Sequence, residues 1–200
     1  MKKICGLTTL PITIKSFMLG NLNYMADNGY KAYAISQPGE VLQKEHLGKV
    51  QFLPLLIKHG NVSPLEVFKT IWKLYKVFKK EQFDIIQYAT SNAALYACIA
   101  GWMARIPVRI YCQWGISYTD YHGMYLWFYK LMEKATCIFS TSVQPDSPSN
   151  LKFSIEEGLY EASKGHVLLN GSATGVDLTK YDYSMKKEWS KDIRNMYSIP

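Results

Sequence analysis

Apolar and polar positions along the chain fall into two alternating kinds of block. Short apolar runs occur at Lys3–Leu7 and in "YKAYAIS", "VQFLPLLI", "FDIIQYA", "VRIYCQW", "CIFSTSV" and "HVLLN"; bounded by turn-forming residues, they read as seven strands. Pro54 inside the third run argues for an early end or an edge position, because proline cannot donate to a ladder. Between the runs lie segments of helical spacing. One from Ser16 to Asn28 ends at Gly29, a left-handed cap. Others are "NAALYACIAGWMARI", Tyr125 to Lys134, and Leu151 to Ser163. Strands alternating with helices predict a Rossmann-like, doubly wound α/β domain. Its mainly parallel sheet would have about seven strands and helices on both faces.

The strongest local signal is "SPLE". Ser63 stands at an N-cap, Pro64 at the first helical position and Glu66 at the third, so two orphan amides could be satisfied reciprocally. The spacing predicts a helix from Pro64 to about Lys80. Leu65, Phe68, Ile71, Trp72, Tyr75 and Phe78 make its apolar stripe, and Lys69, Lys73, Lys76 and Lys80 a cationic one. A solvated helix face is the competing reading of those lysines.

The 200 residues suit about one large domain, and 48% hydrophobic content is ample for one core. A net charge of +7 favours an anionic partner: nucleic acid, a phosphate-bearing substrate or an acidic membrane surface. No recognisable nucleic-acid module accompanies it, and no G-x-G-x-x-G follows the first strand. Cys5, Cys98, Cys112 and Cys137 fall at no metal-ligand spacing, so no metal site and a reducing compartment are expected. The apolar run behind Met1-Lys2-Lys3 is broken by Thr8, Thr9 and Pro11 before a signal peptide could form. No run reaches the ~18 apolar residues of a spanning helix. The expectation is a cytoplasmic protein, at most peripheral on a membrane.

Ligands of open parallel sheets bind beyond the carboxyl ends of the strands. The candidate substrate-binding residues are therefore Thr8 and Thr9, Ser91 and Asn92, Gln113, Trp114, Gly115 and Tyr118, and Gly171 and Ser172. Their hydroxyls, amides and glycines suit hydrogen bonding to sugar or phosphate. Trp114 and Tyr118 could stack on a sugar ring, with core packing as the alternative. Asp120 and His122 could form an acid–base pair across one loop. His59, beside Lys58, could touch a phosphate, whereas His166 at the start of a strand reads as structural.

"GSATGVD", directly after a predicted strand, resembles the G-S-x-x-G-V-D motif of bacterial capsular-polysaccharide glycosyltransferases. "FMLGNLNYMADNGYKAYAIS", "SPLEVFKTIWKLYKVFKKEQFDIIQYAT" and "IPVRIYCQWGISY" are similar to that family's segments in the family's order, over residues 3–180. The resemblance implies a retaining enzyme of the GT-B fold, built from two Rossmann-like domains. Residues 1–180 would be its N-terminal, acceptor-binding domain. The polar stretch 181–200, with "LTKYD" before it and "IRNMYSIP" within it, would be a linker toward a C-terminal nucleotide-sugar domain not contained in this sequence. Paired glutamates of that second domain would contact the donor.

The implied reaction is transfer of a sugar from a nucleotide-diphosphate sugar to a lipid-linked saccharide in capsule or exopolysaccharide synthesis. No cofactor is implied in this domain; the nucleotide-sugar is a substrate. Its partners would be the lipid-linked acceptor and the inner face of the cytoplasmic membrane, without nucleic acid, and these 200 residues alone would be inactive. The sequence departs from the family at Trp114, where histidine is usual, at Gln87 and Asn92, where histidine and lysine are frequent, and at Thr174 in place of asparagine. Glu133-Lys134 resembles a family charged pair and reads as structural. With Trp114 and no second domain, a second reading stays open: a non-catalytic binding module or the partner subunit of a two-chain transferase.

Overall fold

The computed structural model describes residues 1–42, 47–58, 60, 62–175, 178 and 181–200. Six strands, β1 (Lys3–Leu7), β2 (Lys31–Ser36), β3 (Gln51–Pro54), β4 (Ile85–Tyr88), β5 (Val108–Gln113) and β6 (Ser142–Pro145), form one sheet in the order β3-β2-β1-β4-β5-β6. Every pairing is parallel. The chain winds outward from β1 to β3, then returns to build β4 to β6 on the other side. The order therefore reverses between β1 and β4, where such sheets open a crevice. β3 is the edge strand that Pro54 foretold.

Both faces of the sheet are covered, which is why its central strands are continuous apolar runs. In β2, Tyr33 and Ile35 enter one core with Leu74, Phe78 and Ile86, while Ala32 and Ala34 enter the other with Met18, Leu19 and Leu22. The first core lies under α3 (Pro64–Glu81), α4 (Ser91–Met103) and α5 (Gly123–Phe139). The second lies under a continuous helical stretch: α1 (Pro11–Thr13), a π-helical segment (Ile14–Met18) and α2 (Leu19–Asp27). Gly6 of β1 lets this stretch approach closely, because a Cβ there would stand 2.9 Å from a Leu22 methyl.

Several boundaries differ from the sequence expectation. Helix begins at Pro11 rather than Ser16, since a proline at the first helical position needs no amide. Cys137, Ile138 and Phe139 continue α5 instead of opening a strand; Cys137 shares the buried stripe of Glu133, four residues back, and its neighbour Thr136. The helix expected over Leu151–Ser163 is α6 (Pro148–Glu156), capped by Ser147.

The seventh strand does not form. Gly165 makes a single parallel bridge to Val143, and the chain then leaves the sheet with Leu168 and Leu169 exposed. Leu169, at φ 50°, begins a turn rather than an extended run. Residues 181–200, read as a linker, carry a short 3-10 turn and α7 (Lys186–Met196), exposed almost throughout.

At the start of α3, Ser63 accepts from the Glu66 amide as the motif requires. The Glu66 carboxylate, however, pairs with Lys58 across the preceding loop, and this cation holds it below the usual carboxylate range. The capping motif is thus half local and half tertiary.

Candidate functional site

At the switch point, the ends of β1 and β4 are tied together. Thr90 Oγ1 accepts from the Thr9 amide at 3.0 Å and shares a 2.8 Å hydrogen bond with Thr9 Oγ1. Thr90 holds φ 65°, ψ 134°, an outlying conformation for a β-branched residue, and immediately precedes α4. Its side chain makes no capping bond to α4, so the first-turn amides of this helix face outward beside Ser91. Ser91 in turn reaches Ser117 Oγ at 3.3 Å, after β5.

These residues floor a cleft of about 810 Å³ between the N-terminal halves of α3, α4 and α5. Val67, Phe68 and Ile71 of α3 form one wall; Tyr121, Tyr125, Phe128, Tyr129 and Met132 form the other. Tyr121 and Tyr129 stack with ring centres 4.6 Å apart. The floor is hydroxyl-rich, the walls are aromatic and aliphatic, and no charged side chain is among the described lining residues. Such a cleft can hold a ligand with one polar and one apolar part. It offers no histidine, carboxylate or lysine for general acid–base work among those residues. Another concavity, near Tyr181, Trp189, Ile193 and Ile199, is formed within residues 181–199 alone.

Of the residues proposed from sequence, Thr9, Ser91 and Asn92 meet in the cleft. Asn92 uses its side-chain amide to hold the carbonyls of Lys58 and Gly60 at 3.0 and 2.9 Å, fixing the loop that leads into α3. Thr8 is fully buried and donates to the Leu10 carbonyl, so it shapes the turn after β1. Trp114 and Tyr118 part company: Trp114 packs against Phe17 at 5.1 Å on the α2 side, while the Tyr118 ring is buried in the other core. Tyr118 therefore offers no face to a sugar. Gly115, with φ 96°, turns the chain between them in an exposed position.

The Gln113 side chain belongs to an internal network. Its side chain is fully buried, donating to Glu133 at 2.7 Å and accepting from Ser154 at 3.1 Å and Tyr160 at 3.0 Å. Its carbonyl accepts from Asn150 at 3.0 Å, and Asn150 also donates to the Asp146 carboxylate. The network thus joins β5, α5 and α6 and reaches the loop after β6.

Gly171 and Ser172 dock on that loop rather than in the cleft. The Ser172 amide donates to the Asp146 carbonyl at 2.6 Å, and Ser172 Oγ accepts from the Gly175 amide at 3.0 Å. Asp120 and His122 are exposed in the turn leading into α5, and His166 is exposed at the bridge to β6. His59 and Asp177 lie outside the described residues.

The sequence reading missed Thr90, Ser117 and the aromatic wall. Tyr121, Tyr125, Phe128, Tyr129 and Met132 recur every three or four positions, which was the available signal; starting the helix at Tyr125 cut the stripe.

Glu133, buried beneath this region, accepts from Tyr111 and Gln113, and forms no ion pair among the described residues. Burial raises its pKa, and the bonds from Gln113 and Tyr111 only partly oppose this. The native state therefore keeps a proton that the unfolded chain releases, so stability falls as pH rises above about 4.5 toward the native value. Glu133→Gln keeps an acceptor for both donors and should flatten that slope. Urea midpoints measured across the acidic-to-neutral range check it; an unchanged slope would place the titration elsewhere.

The Glycosyl transferase 4-like family model matches residues 4–143. Over 186 residues the chain is 24% identical to the capsular polysaccharide biosynthesis glycosyltransferase CapM of Staphylococcus aureus, covering 93% of this chain and 48% of that protein. It is 27% identical over 138 residues to an Escherichia coli UDP-Gal:alpha-D-GlcNAc-diphosphoundecaprenol alpha-1,3-galactosyltransferase, covering 68% of this chain and 34% of that one. The chain thus spans about half the length of the first relative and a third of the second.

Among solved structures, a Rickettsia africae glycosyltransferase superposes on all of this chain and 50% of its own, with a TM-score of 0.70 at 14% identity. Anabaena HepE in complex with UDP and glucose covers 96% of this chain and 50% of its own, with a TM-score of 0.63 at 16% identity. These likenesses establish the shared Rossmann-like fold of one half of GT-B proteins. With the family model spanning well over half of its residues, the chain belongs to the glycosyl transferase 4-like family.

Proposed function

We propose that this chain is the acceptor-binding, N-terminal domain of a retaining glycosyltransferase that moves a sugar from a nucleotide-diphosphate sugar to a lipid-linked saccharide in surface-polysaccharide assembly. The observation that carries the reading is the division of the cleft into a hydroxyl floor at Thr9, Thr90, Ser91 and Ser117 and aromatic walls from α3 and α5. A lipid-linked saccharide has the same division. Its sugar and phosphate would meet the hydroxyls and first-turn amides of α4, and its first apolar units would meet Phe68, Tyr125 and Phe128.

The donor's anionic leaving group needs preorganised cations or amides where charge develops. The uncharged described lining of this cleft supports assigning that task to a second domain, and this domain's role to holding the acceptor. In such an arrangement the nucleotide-sugar is bound outside these residues, and an acceptor carried on a lipid brings the domain to the inner face of the cytoplasmic membrane. The galactosyltransferase relative, whose name specifies a GlcNAc-diphosphoundecaprenol acceptor, supports the choice of probe.

A water-soluble short-chain prenyl diphosphate bearing N-acetylglucosamine should bind the chain, and Tyr125→Ala should weaken that binding about tenfold through lost aromatic contact. Titration calorimetry reads both. No binding, or binding indifferent to Tyr125→Ala and Phe128→Ala, would overturn the assignment.

A further inference from the structure

Far from the cleft, where the strands begin, aromatic rings and cations meet at the ends of two helices. α4 starts in the cleft at Ser91 and runs for 13 residues, so its last turn lies ~20 Å away. There Trp72 and Tyr75 of α3, with Trp102 and Met103 of α4, line a hollow of about 460 Å³. Arg105 borders this hollow and also a smaller one of about 220 Å³, which Lys79 and Gln82 help to line. Gln82 and Arg105 each stand three residues before a strand, β4 and β5.

The rings are left open rather than packed away. Trp72, expected from the sequence to face the core, is 42% exposed, and Trp102 is 55% exposed. Trp102 meets Phe139 edge-on with ring centres 5.2 Å apart, and Trp72 stacks on Tyr75 at 5.1 Å. Each indole is thus held from one side, so little rotamer freedom remains for a ligand to freeze.

Arg105 occupies a position that favours glycine. Its amide donates to the Trp102 carbonyl at 3.0 Å and the Ile106 amide to the Gly101 carbonyl at 2.9 Å, the paired bonds that close a helix through a left-handed residue. Arg105 takes that conformation at φ 61°, and Gln82, just past α3, does so at φ 56°. A side chain there costs stability that glycine avoids. The helix dipole accounts for Lys79, which lies within the last turn of α3. A cation inside the last turn of α4 would serve its dipole equally well, without left-handed strain. Nor is Arg105 engaged elsewhere: the ion pairs among the described residues use neither Arg105 nor Lys79, and no acid is among the described residues lining either hollow. A strained position holding an unpaired cation beside open aromatic faces points to a ligand.

We propose that this region is an accessory site for an anionic saccharide, separate from the cleft. The C–H faces of its sugar rings lie on Trp72 and Trp102. Arg105 and Lys79 take a carboxylate or phosphate on the sugar, and the Gln82 carboxamide serves hydroxyls. With two lining cations the ionic contribution is small and the ring faces carry recognition, whereas a polynucleotide strand would call for a longer basic track. The inference goes beyond the acceptor reading and holds whichever ligand the cleft takes, because none of these residues is among the described cleft lining.

The test is titration calorimetry of the purified chain with tetragalacturonate, and with maltotetraose as an uncharged counterpart. Tetragalacturonate should bind, and maltotetraose should bind at least about tenfold more weakly. Trp102→Ala should weaken tetragalacturonate binding about tenfold through the lost ring face. Arg105→Gly should weaken it at least about tenfold while the urea midpoint holds or rises, since glycine suits the left-handed position; loss of binding is then not loss of fold. Arg105→Lys, which keeps the charge without the fork of donors, should fall between the two.

Saturation with the soluble acceptor analogue should leave tetragalacturonate binding unchanged, and Trp102→Ala and Arg105→Gly should not alter binding of that analogue, so the two readings fail separately. Absence of tetragalacturonate binding, binding indifferent to both variants, or displacement by the acceptor analogue would overturn the inference. So would tighter binding of an oligothymidylate of equal charge through Trp102 and Arg105, which would reassign the region to nucleic acid.

Discussion

Gln113→Leu should destabilise the domain by on the order of 4 kcal/mol through buried hydrogen bonds alone. One amide here serves three buried partners. It donates to Glu133 and accepts from Ser154 and Tyr160, so its loss leaves Glu133 short of a donor and Tyr160 short of an acceptor, while Ser154 keeps only the longer bond to Asn150 Oδ1 at 3.3 Å. Each orphan costs roughly 1–3 kcal/mol where water cannot enter. At present every described buried side-chain nitrogen and oxygen has a partner.

Urea denaturation reads the effect as a lower midpoint at unchanged slope. Ser154→Ala, which removes one donor and leaves the amide in place, should cost only about 1 kcal/mol. Equal losses in the two variants would mean that the network does not act as a unit. The loop after β6 should stay anchored in Gln113→Leu, because Asn150 bonds the backbone carbonyl of residue 113 and the Asp146 carboxylate, neither of which the substitution removes.

Gly171→Ala should release the "GSATG" turn from that same loop. The backbone at Gly171 has φ 92°, and a Cβ would stand 2.4 Å from the Asp146 carbonyl oxygen, a contact with backbone that no rotamer relieves. The Ser172 amide bonds to this very carbonyl, so the clash and the bond compete for one atom. Left-handed strain and the lost bond together amount to about 3 kcal/mol.

Because the turn lies at the edge of the sheet, the cost should fall on local opening. Hydrogen exchange at the Ser172 amide should accelerate by on the order of a hundredfold, while the core amides of β1 and β4 stay protected. Unchanged exchange at Ser172 would show that the loop after β6 can shift to make room. The glycine required here is thus a docking glycine, and the motif's serine folds its own turn by accepting from the Gly175 amide.

Wherever neighbours in the chain supply the physics, the sequence was legible. The Ser63-Pro64 start of α3, the left-handed Gly29 after α2 and the edge position of β3 with Pro54 are set within a few residues. The alternation of runs and helices likewise gave the parallel doubly wound class, since both faces of each central strand had to be apolar. The family motif pointed to the correct half of a GT-B architecture. The apolar run "HVLLN", by contrast, suggested a seventh strand where Leu168 and Leu169 lie exposed.

For the candidate site, the sequence determined which loops gather at the carboxyl edge: Thr9, Ser91 and Asn92 were named because topology alone puts strand ends there. Only the tertiary structure decided what each side chain does. Gln113 and Tyr118 turned inward because partners from α5 and from the segment just after α6, 20 to 47 positions away, complete their hydrogen bonds. Trp114 went to the face opposite Tyr118, onto Phe17.

The outward apolar faces of α3 and α5 show the limit most clearly. Helical spacing defines a stripe, but a stripe is core only if another element lies over it. The buried positions of α3 are Leu74 and Phe78, set by how the helix rolls against β4 and α4, and that roll is fixed by packing across the sheet rather than by the period of the helix itself.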